Sequence, residues 1–179
     1  MQPTETLPRF DALLAARGLQ LEAVVTGGAA LTLLGIISRG TRDVDLIEPE
    51  LSQEVLAVAR AFAEDLRSEG DILRDDWLNN GPASLAPLLP DGWRCRLRLV
   101  FEGSALRLWA PGRADLLLTK LFALCDRGLD LGDCLALAPS SEELSRAEAW
   151  VAAQDLHPDW PAHVKATLHD LAQRLGHGL

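Results

Sequence analysis

Asp43 and Asp45, in the run Thr41-Arg42-Asp43-Val44-Asp45-Leu46-Ile47, are the residues of this chain whose spacing points most directly to chemistry. The strict alternation predicts a half-buried strand with Val44 and Leu46 on one face and the two aspartates on the other. Residues i and i+2 of a strand share a face, with Cα atoms about 6.5–7 Å apart, so both carboxylates can reach one divalent cation. Magnesium takes oxygen ligands, is typically held by one or two carboxylates, and leaves its other positions to water and substrate phosphates. A strand-borne Asp-x-Asp is therefore a platform for phosphoryl or nucleotidyl transfer. The plainer reading is a pair of solvated aspartates on an exposed strand face.

Thr26-Gly27-Gly28 precedes that strand and adds a second element. Glycines at the start of a helix leave bare backbone where a triphosphate can approach, for the reason phosphates settle at other glycine-rich helix starts. The spacing is neither the Rossmann nor the Walker pattern. A tight strand-to-helix turn requiring positive φ explains the glycines equally well when they are taken alone.

The elements that must position these groups follow from periodicity. Leu7, Phe10, Leu13 and Leu14 recur at helical spacing and stop at Gly18, Leu21 to Val25 reads as a strand, and an Ala/Leu-rich helix is expected from Ala29 to Ile37. Beyond Pro49, Ser52 is a candidate N-cap for a helix carrying Val55, Ala59, Phe62 and Leu66 and stopped at Gly70. Residues 71–90 read as a structured loop with a helical turn or two, broken by Asn79-Asn80-Gly81-Pro82 and Pro87. From Trp93 alternation returns, and Glu102-Gly103 is a candidate two-residue hairpin turn leading back through Leu106 and Leu108. Helical spacing resumes over Ala114–Asp126, Ser140 or Ser141 caps a helix through Val151, and Asp159 with Pro161 opens a last helix ending near Gly176. The order predicts an α+β fold, a mixed-sheet core over residues 1–112 flanked by helices, with a helical C-terminal part over 113–179 packed on that core.

Composition narrows the function classes. The chain has 179 residues and a formal net charge of −9, which argues against a protein that coats nucleic acid through phosphate neutralisation. With 48% apolar and 24% charged residues it reads as an ordinary globular chain. No apolar run approaches the roughly 20 residues of a membrane span, and the start lacks a signal-peptide pattern, so the expectation is a cytoplasmic protein with no membrane partner. Cys95, Cys125 and Cys134 are odd in number and widely spaced, which suits reduced thiols rather than a zinc site.

Thr26-Gly27-Gly28-Ala29-Ala30-Leu31 followed by Arg39-Gly40-Thr41-Arg42-Asp43-Val44-Asp45-Leu46 resembles the signature of the DNA polymerase β-like nucleotidyltransferases. Within that superfamily the likeness is to small bacterial proteins related to abortive-infection and toxin–antitoxin nucleotidyltransferases. Asp115 to Ala123 with Lys120, then Arg127 and Asp130-Leu131-Gly132-Asp133, is similar to their later helix with a lysine and aspartate motif. The resemblance implies that Gly27 and Gly28, with Arg39 and Thr41, hold the nucleotide. It implies that Asp43 and Asp45 bind Mg2+ and act in catalysis with Lys120 and Asp133. Lys120 snorkelling from an apolar helix, and Asp130 and Asp133 capping the next one, are the alternatives. The implied reaction moves a nucleoside monophosphate from an NTP to a hydroxyl of RNA, protein or a small molecule. The competing expectation is a non-catalytic nucleotide- or partner-binding half of a toxin–antitoxin-like pair.

One departure stands out. Active members of the superfamily usually place a third carboxylate on a neighbouring strand, and the strand expected to supply it reads Arg94-Cys95-Arg96-Leu97-Arg98-Leu99-Val100-Phe101. Glu102, Asp130 or Asp133 are the candidate substitutes. A two-residue turn at Glu102-Gly103 sets Arg98 opposite Arg107 and Arg96 opposite Trp109, a like-charge pair that an anion between them would relieve. Arg96 and Arg98 thus join the candidate phosphate-binding groups, against the alternative of a solvated edge strand.

Overall fold

The computed structural model describes residues 2–177 and divides into two compact units between Gly112 and Arg113, each treated by itself below. In the first unit α1 (Pro3–Ala16), β1 (Leu21–Thr26), α2 (Gly27–Leu33), β2 (Val44–Glu48), α3 (Gln53–Ser68), β3 (Leu78–Asn79), β4 (Arg98–Glu102) and β5 (Leu106–Ala110) follow one another along the chain. The five strands form one mixed sheet in the order β3-β2-β1-β5-β4. β1 runs antiparallel to β2 and parallel to β5, β2 is parallel to β3, and β4 is antiparallel to β5. The fold is α+β, as the element order implies.

Strand alternation gives the sheet two different faces. Ala23 and Val25 of β1, Val44 and Leu46 of β2, and Leu106, Leu108 and Ala110 of β5 are all buried. Beside them α1 and α3 meet over an aromatic cluster, in which Phe10 lies 5.0 Å from Trp77 and 5.4 Å from Phe62 between ring centroids. The Trp77 indole N–H donates to the Ala59 carbonyl at 2.9 Å, so this buried ring carries no unsatisfied polar atom. The other face is built by Glu22, Val24 and Thr26 of β1 together with their in-register neighbours, and only part of it is covered. Val24, Ile47, Leu89 and Trp93 form a small buried cluster there, with Leu97 and Trp109 packed against it.

Three local expectations change. Trp93–Arg96 is a 3-10 turn rather than strand, because Trp93 is drawn into that cluster and Arg96 donates back to the Asp91 and Pro90 carbonyls. The β4–β5 link is three residues long, so Glu102 pairs with Arg107 and Arg98 with Ala110, not Arg98 with Arg107. Its register is fixed by Asp11, whose carboxylate accepts the backbone N–H groups of Ser104, Ala105 and Leu106. The expected arginine repulsion therefore does not arise: Arg107 and Glu102 form a 2.7 Å ion pair, and Leu99, not Arg96, faces Trp109. Finally, the segment expected to be irregular contributes β3, and α2 ends at Leu33, short of Ile37.

The second unit is helical, with α4 (Arg113–Arg127), α5 (Leu131–Leu137), α6 (Ser141–Ala152) and α7 (Trp160–Arg174). Leu117, Leu121, Leu124 and Cys125 form the buried stripe of α4. Ser140 starts α6 with a reciprocal capping box to Glu143, and Glu143 also pairs with Arg113. Trp160 opens α7, stacks edge-on against Phe122 and donates its indole N–H to the Val151 carbonyl. Among the described residues no helix is long and apolar enough to cross a membrane.

Candidate functional site

At the end of β1 the chain leaves Thr26 in extended geometry and enters α2 through Gly27 at φ +66°. Gly27 meets a double requirement. Its φ lies in the left-handed region, and a Cβ there would come within 2.9 Å of the Asp45 Oδ2 atom. Gly28 is close-packed as well: a Cβ on it would lie 3.1 Å from the Thr41 hydroxyl and 4.0 Å from a guanidinium nitrogen of Arg39. Thr41 donates its hydroxyl to the Asp43 carbonyl, and Thr32 donates to the carbonyls of Gly28 and Arg39, which ties the turn to the segment entering β2. The structure thus brings Gly27, Gly28, Arg39, Thr41 and Asp45 together around one glycine turn.

Register completes the picture. Thr26 pairs with Asp45, and Asp45 pairs with Asn79, so these three residues form a row across β1, β2 and β3. Asp43 immediately precedes β2, and both aspartates are half-buried. Thr26 is only 3% exposed, yet its hydroxyl has no hydrogen-bond partner among the described residues. An unmet buried hydroxyl costs about 1–3 kcal/mol, a cost that a ligand bound in the row would relieve.

The donor set fits a hard divalent ion. Asp43 and Asp45 are oxygen ligands, the glycine leaves space beside Asp45, and the Thr26 hydroxyl is in want of a partner. Among the described residues no group of three or more His, Cys, Asp or Glu side chains comes together that could hold a metal. An ion held here would therefore rely on two carboxylates, with water and phosphate filling the remaining positions.

The neighbouring strand carries a residue that pattern reading missed. Asn79 stands beside Asp45, with its side-chain oxygen accepting from the Gly81 N–H at 2.7 Å and its amide donating to the Asp76 carbonyl. Asn80 clamps the end of β2 by donating to the Leu46 and Pro49 carbonyls and accepting from the Leu51 N–H. Both lie in a run whose composition signals a turn; only the pairing of Leu78 and Asn79 with Val44 and Asp45 reveals a strand. Glu102, a candidate third carboxylate, ends β4 in its pair with Arg107, and β5 separates that strand from β1.

Of the arginines, Arg96 is bound to loop carbonyls, while Arg98 opens β4, a strand that touches α2. Arg94 makes a bidentate pair with Glu48 and stacks over the Trp93 ring at 4.4 Å.

In the second unit Lys120 is buried with its ammonium 2.7 Å from Asp133 and 3.2 Å from Asp130. Asp133 is 1% exposed. Asp130 adopts a left-handed backbone at the start of α5 and makes no side-chain cap, so its carboxylate serves the lysine rather than the helix. One ammonium faces two carboxylates. Burial pushes the nearby Cys134 thiol up to about 12, reinforced by the Asp130 charge, and burial also raises Cys125 to about 11. Both thiols are thus protonated at neutral pH and act as small apolar groups, while Cys95 is exposed.

A family model described as a nucleotidyltransferase of unknown function (DUF6036) matches residues 6–135, a stretch that includes the glycine turn, the aspartate pair and the Lys120 cluster. No curated protein and no solved structure matches the chain.

Proposed function

We propose, from the premise that the chain belongs to this family of nucleotidyltransferases of unknown function, that it is a magnesium-dependent enzyme moving a nucleoside monophosphate from an NTP to a hydroxyl. The acceptor would be an RNA end, a protein side chain or a small molecule. The observation that carries this reading is the bare Cα of Gly27 held against the Asp45 carboxylate, since a phosphate and a metal ligand must meet there. In the reaction the acceptor oxygen attacks the α-phosphorus, the bond from that phosphorus to the bridging oxygen of pyrophosphate breaks, and the hydroxyl proton leaves to water. Asp43 and Asp45 would hold the metal, which when bound supplies charge neutralisation for the phosphates. Gly27 and Gly28 let the triphosphate approach, and Arg39 and Thr41 would line that approach beside Gly28, the Arg39 guanidinium as donor to the phosphate oxygens and Thr41 holding the turn through the Asp43 carbonyl. Arg96 and Arg98 remain candidate phosphate contacts.

Lys120 and Asp133 are assigned to the same reaction through their place in the motif order. The resemblance gives Lys120 a phosphate contact, and its ammonium is held by Asp133 and Asp130. The same motif order supports placing the chain near the bacterial abortive-infection and toxin–antitoxin branch. A second reading, a nucleotide- or partner-binding module of a toxin–antitoxin-like pair without efficient transfer, is favoured by Asn79, an amide beside Asp45 where a carboxylate would complete the site.

Incubation with each labelled NTP, Mg2+ and total RNA, comparing wild type with the Asp43→Ala/Asp45→Ala variant, separates the two. Label transfer by wild type alone supports the enzyme. Magnesium-dependent NTP binding without transfer supports the module, and absence of both overturns each.

A further inference from the structure

A cavity of about 760 Å³ opens on the partly covered face of the sheet, beside the cluster of Val24 and Trp93, and nothing in the proposed metal and triphosphate site uses it. Its floor is a second in-register row. Trp109 of β5 pairs with Val24 of β1, and Val24 pairs with Glu48 of β2. Val24 and Thr26 are alternate residues of β1, so Val24 lies about 6.5–7 Å along that strand from Thr26 on the same face, and a register shift between Val24 and Val25 brings Glu48, three residues beyond Asp45 on β2, opposite Val24.

We propose that this cavity is a nucleobase pocket. The proposal rests on the nucleotidyltransferase reading and names the chemistry that one of its substrates presents beside the aspartates. One wall is the Trp109 indole, half-buried and held by donation of its N–H to the Glu22 carboxylate at 2.8 Å. Val24 and Leu97 extend the apolar surface. A flat ring stacks on such a wall regardless of its identity, since every base has a π-face. The rim carries hydrogen-bonding groups of both kinds: the Glu22 and Glu48 carboxylates accept, and Arg94, fixed on Glu48 through two bonds of 2.9 and 2.7 Å, donates.

The edge of a nucleobase offers exocyclic N–H donors beside ring-nitrogen and carbonyl acceptors, and so answers such a rim. A purely aliphatic ligand would cover this charged rim without using the further hydrogen bonds that its carboxylates and guanidinium can make. A phosphate would meet two carboxylates against one guanidinium, so the anionic part of a nucleotide belongs to the glycine turn and not here. A base stacked on Trp109 would lie about one alternate-residue step of β1 from the Asp45 row, close enough for its nucleotide to reach the proposed site of transfer. The base can come from the acceptor nucleotide or from the NTP, and the two sources are distinguishable.

The test uses nucleosides without phosphates (adenosine, guanosine, cytidine and uridine), titrated by calorimetry in the absence of Mg2+ against wild type, Trp109→Leu, Glu22→Gln and Asp45→Asn. Binding to wild type is expected, weakened about tenfold or more in Trp109→Leu from the lost stacking and retained in Asp45→Asn. Glu22→Gln, at an exposed position, keeps an acceptor for the indole but changes the rim, and is expected to alter the order of preference among the four bases. A melting curve checks that each variant is folded. If Trp109→Leu fails to fold, Glu22→Gln decides by the same criterion. No nucleoside binding to wild type, equal binding to the folded Trp109 variant, or an unchanged order of preference in Glu22→Gln overturns the pocket.

Adding a non-hydrolysable NTP with Mg2+ then assigns the source: displacement of the nucleoside makes the base that of the NTP, and simultaneous binding makes it that of the acceptor. Nucleoside binding with no label transfer to RNA, to protein or to a small-molecule hydroxyl refutes the enzyme and leaves the pocket standing. Transfer without nucleoside binding does the reverse.

Discussion

Gly27→Ala tests the glycine turn against an internal control. Gly18 and Gly27 have nearly the same backbone, φ +67° and φ +66°, but a Cβ at Gly18 meets nothing within 4 Å while one at Gly27 meets Asp45 Oδ2 at 2.9 Å. Forcing an alanine into the left-handed region costs about 1–2 kcal/mol, offset by about 0.4–1 kcal/mol from the stiffer unfolded chain. Both variants should therefore lose roughly 1 kcal/mol of stability. The obstructing atom at Gly27 is the end of a side chain with two rotatable bonds, so the contact is relieved by swinging the carboxylate rather than by moving strand backbone. The added loss of stability is small, but the proposed metal ligand is displaced.

Misorienting a ligand typically weakens metal binding about 10–100-fold. Urea unfolding should thus place Gly27→Ala and Gly18→Ala within about 1 kcal/mol of each other, while Mn2+ titration followed by electron paramagnetic resonance separates them by at least tenfold. Gly27→Ala binding Mn2+ like wild type would show that the Gly27–Asp45 approach serves only the turn. An equal loss in Gly18→Ala would show that the effect travels through general destabilisation.

Three further outcomes are expected. Lys120→Met removes the ammonium from two carboxylates, one of them Asp133 at 1% exposure, and should cost about 3–5 kcal/mol in denaturant melts, with part recovered in Lys120→Met/Asp133→Asn; no recovery would mean that the lysine acts through packing. For Asp11, burial alone would raise the pKa, but the N–H groups of Ala105, Ser104 and Leu106 outweigh it and hold the carboxyl below its ordinary 3.8. Its contribution is therefore present above 3.8 and lost as pH falls through the lowered value, so the stability gap between wild type and Asp11→Ala, about 1–3 kcal/mol at neutral pH, should close on acidification; a gap independent of pH refutes the turn-capping role. Asn79→Asp sets a carboxylate directly beside Asp45, which should cost about 0.2–1 kcal/mol without metal and bind a second Mn2+ equivalent; unchanged stoichiometry would show that position 79 faces no cation.

The parts of this fold that were legible in the sequence are those whose signals are local. The Asp43-Val44-Asp45-Leu46 alternation, Ser52 and Ser140 as caps, and the glycines ending helices each act within a few residues, and each shows in the amino-acid pattern. The β4–β5 register was not legible because a residue of α1 decides it: Asp11 is 93 positions from Ser104 and holds three successive N–H groups, from Ser104 in the link to Leu106 at the start of β5. Trp93 alternates like a strand residue, but its burial beside Val24 and Leu89 turns the chain into a 3-10 turn. β3 is two residues long and exists through its partners, so no periodicity could announce Asn79.

The same distinction changes what the charge pattern means. From Asp91 to Arg113 the sequence holds five arginines against two carboxylates, which reads as a basic patch in a chain of net charge −9. Folding pairs much of that charge with carboxylates: Arg94 with Glu48 and Arg113 with Glu143 from elsewhere in the chain, and Arg107 with Glu102 of the run itself. Exposed pairs of this kind contribute little stability, but they remove the long-range field that would draw in a polyanion. Recognition of a nucleotide or an RNA end would then depend on short-range groups, namely a metal at Asp43 and Asp45, the bare backbone at Gly27, and an indole wall one row along the strand. This arrangement favours a few specific contacts over coating, and it is consistent with an acidic chain acting on phosphate-bearing substrates.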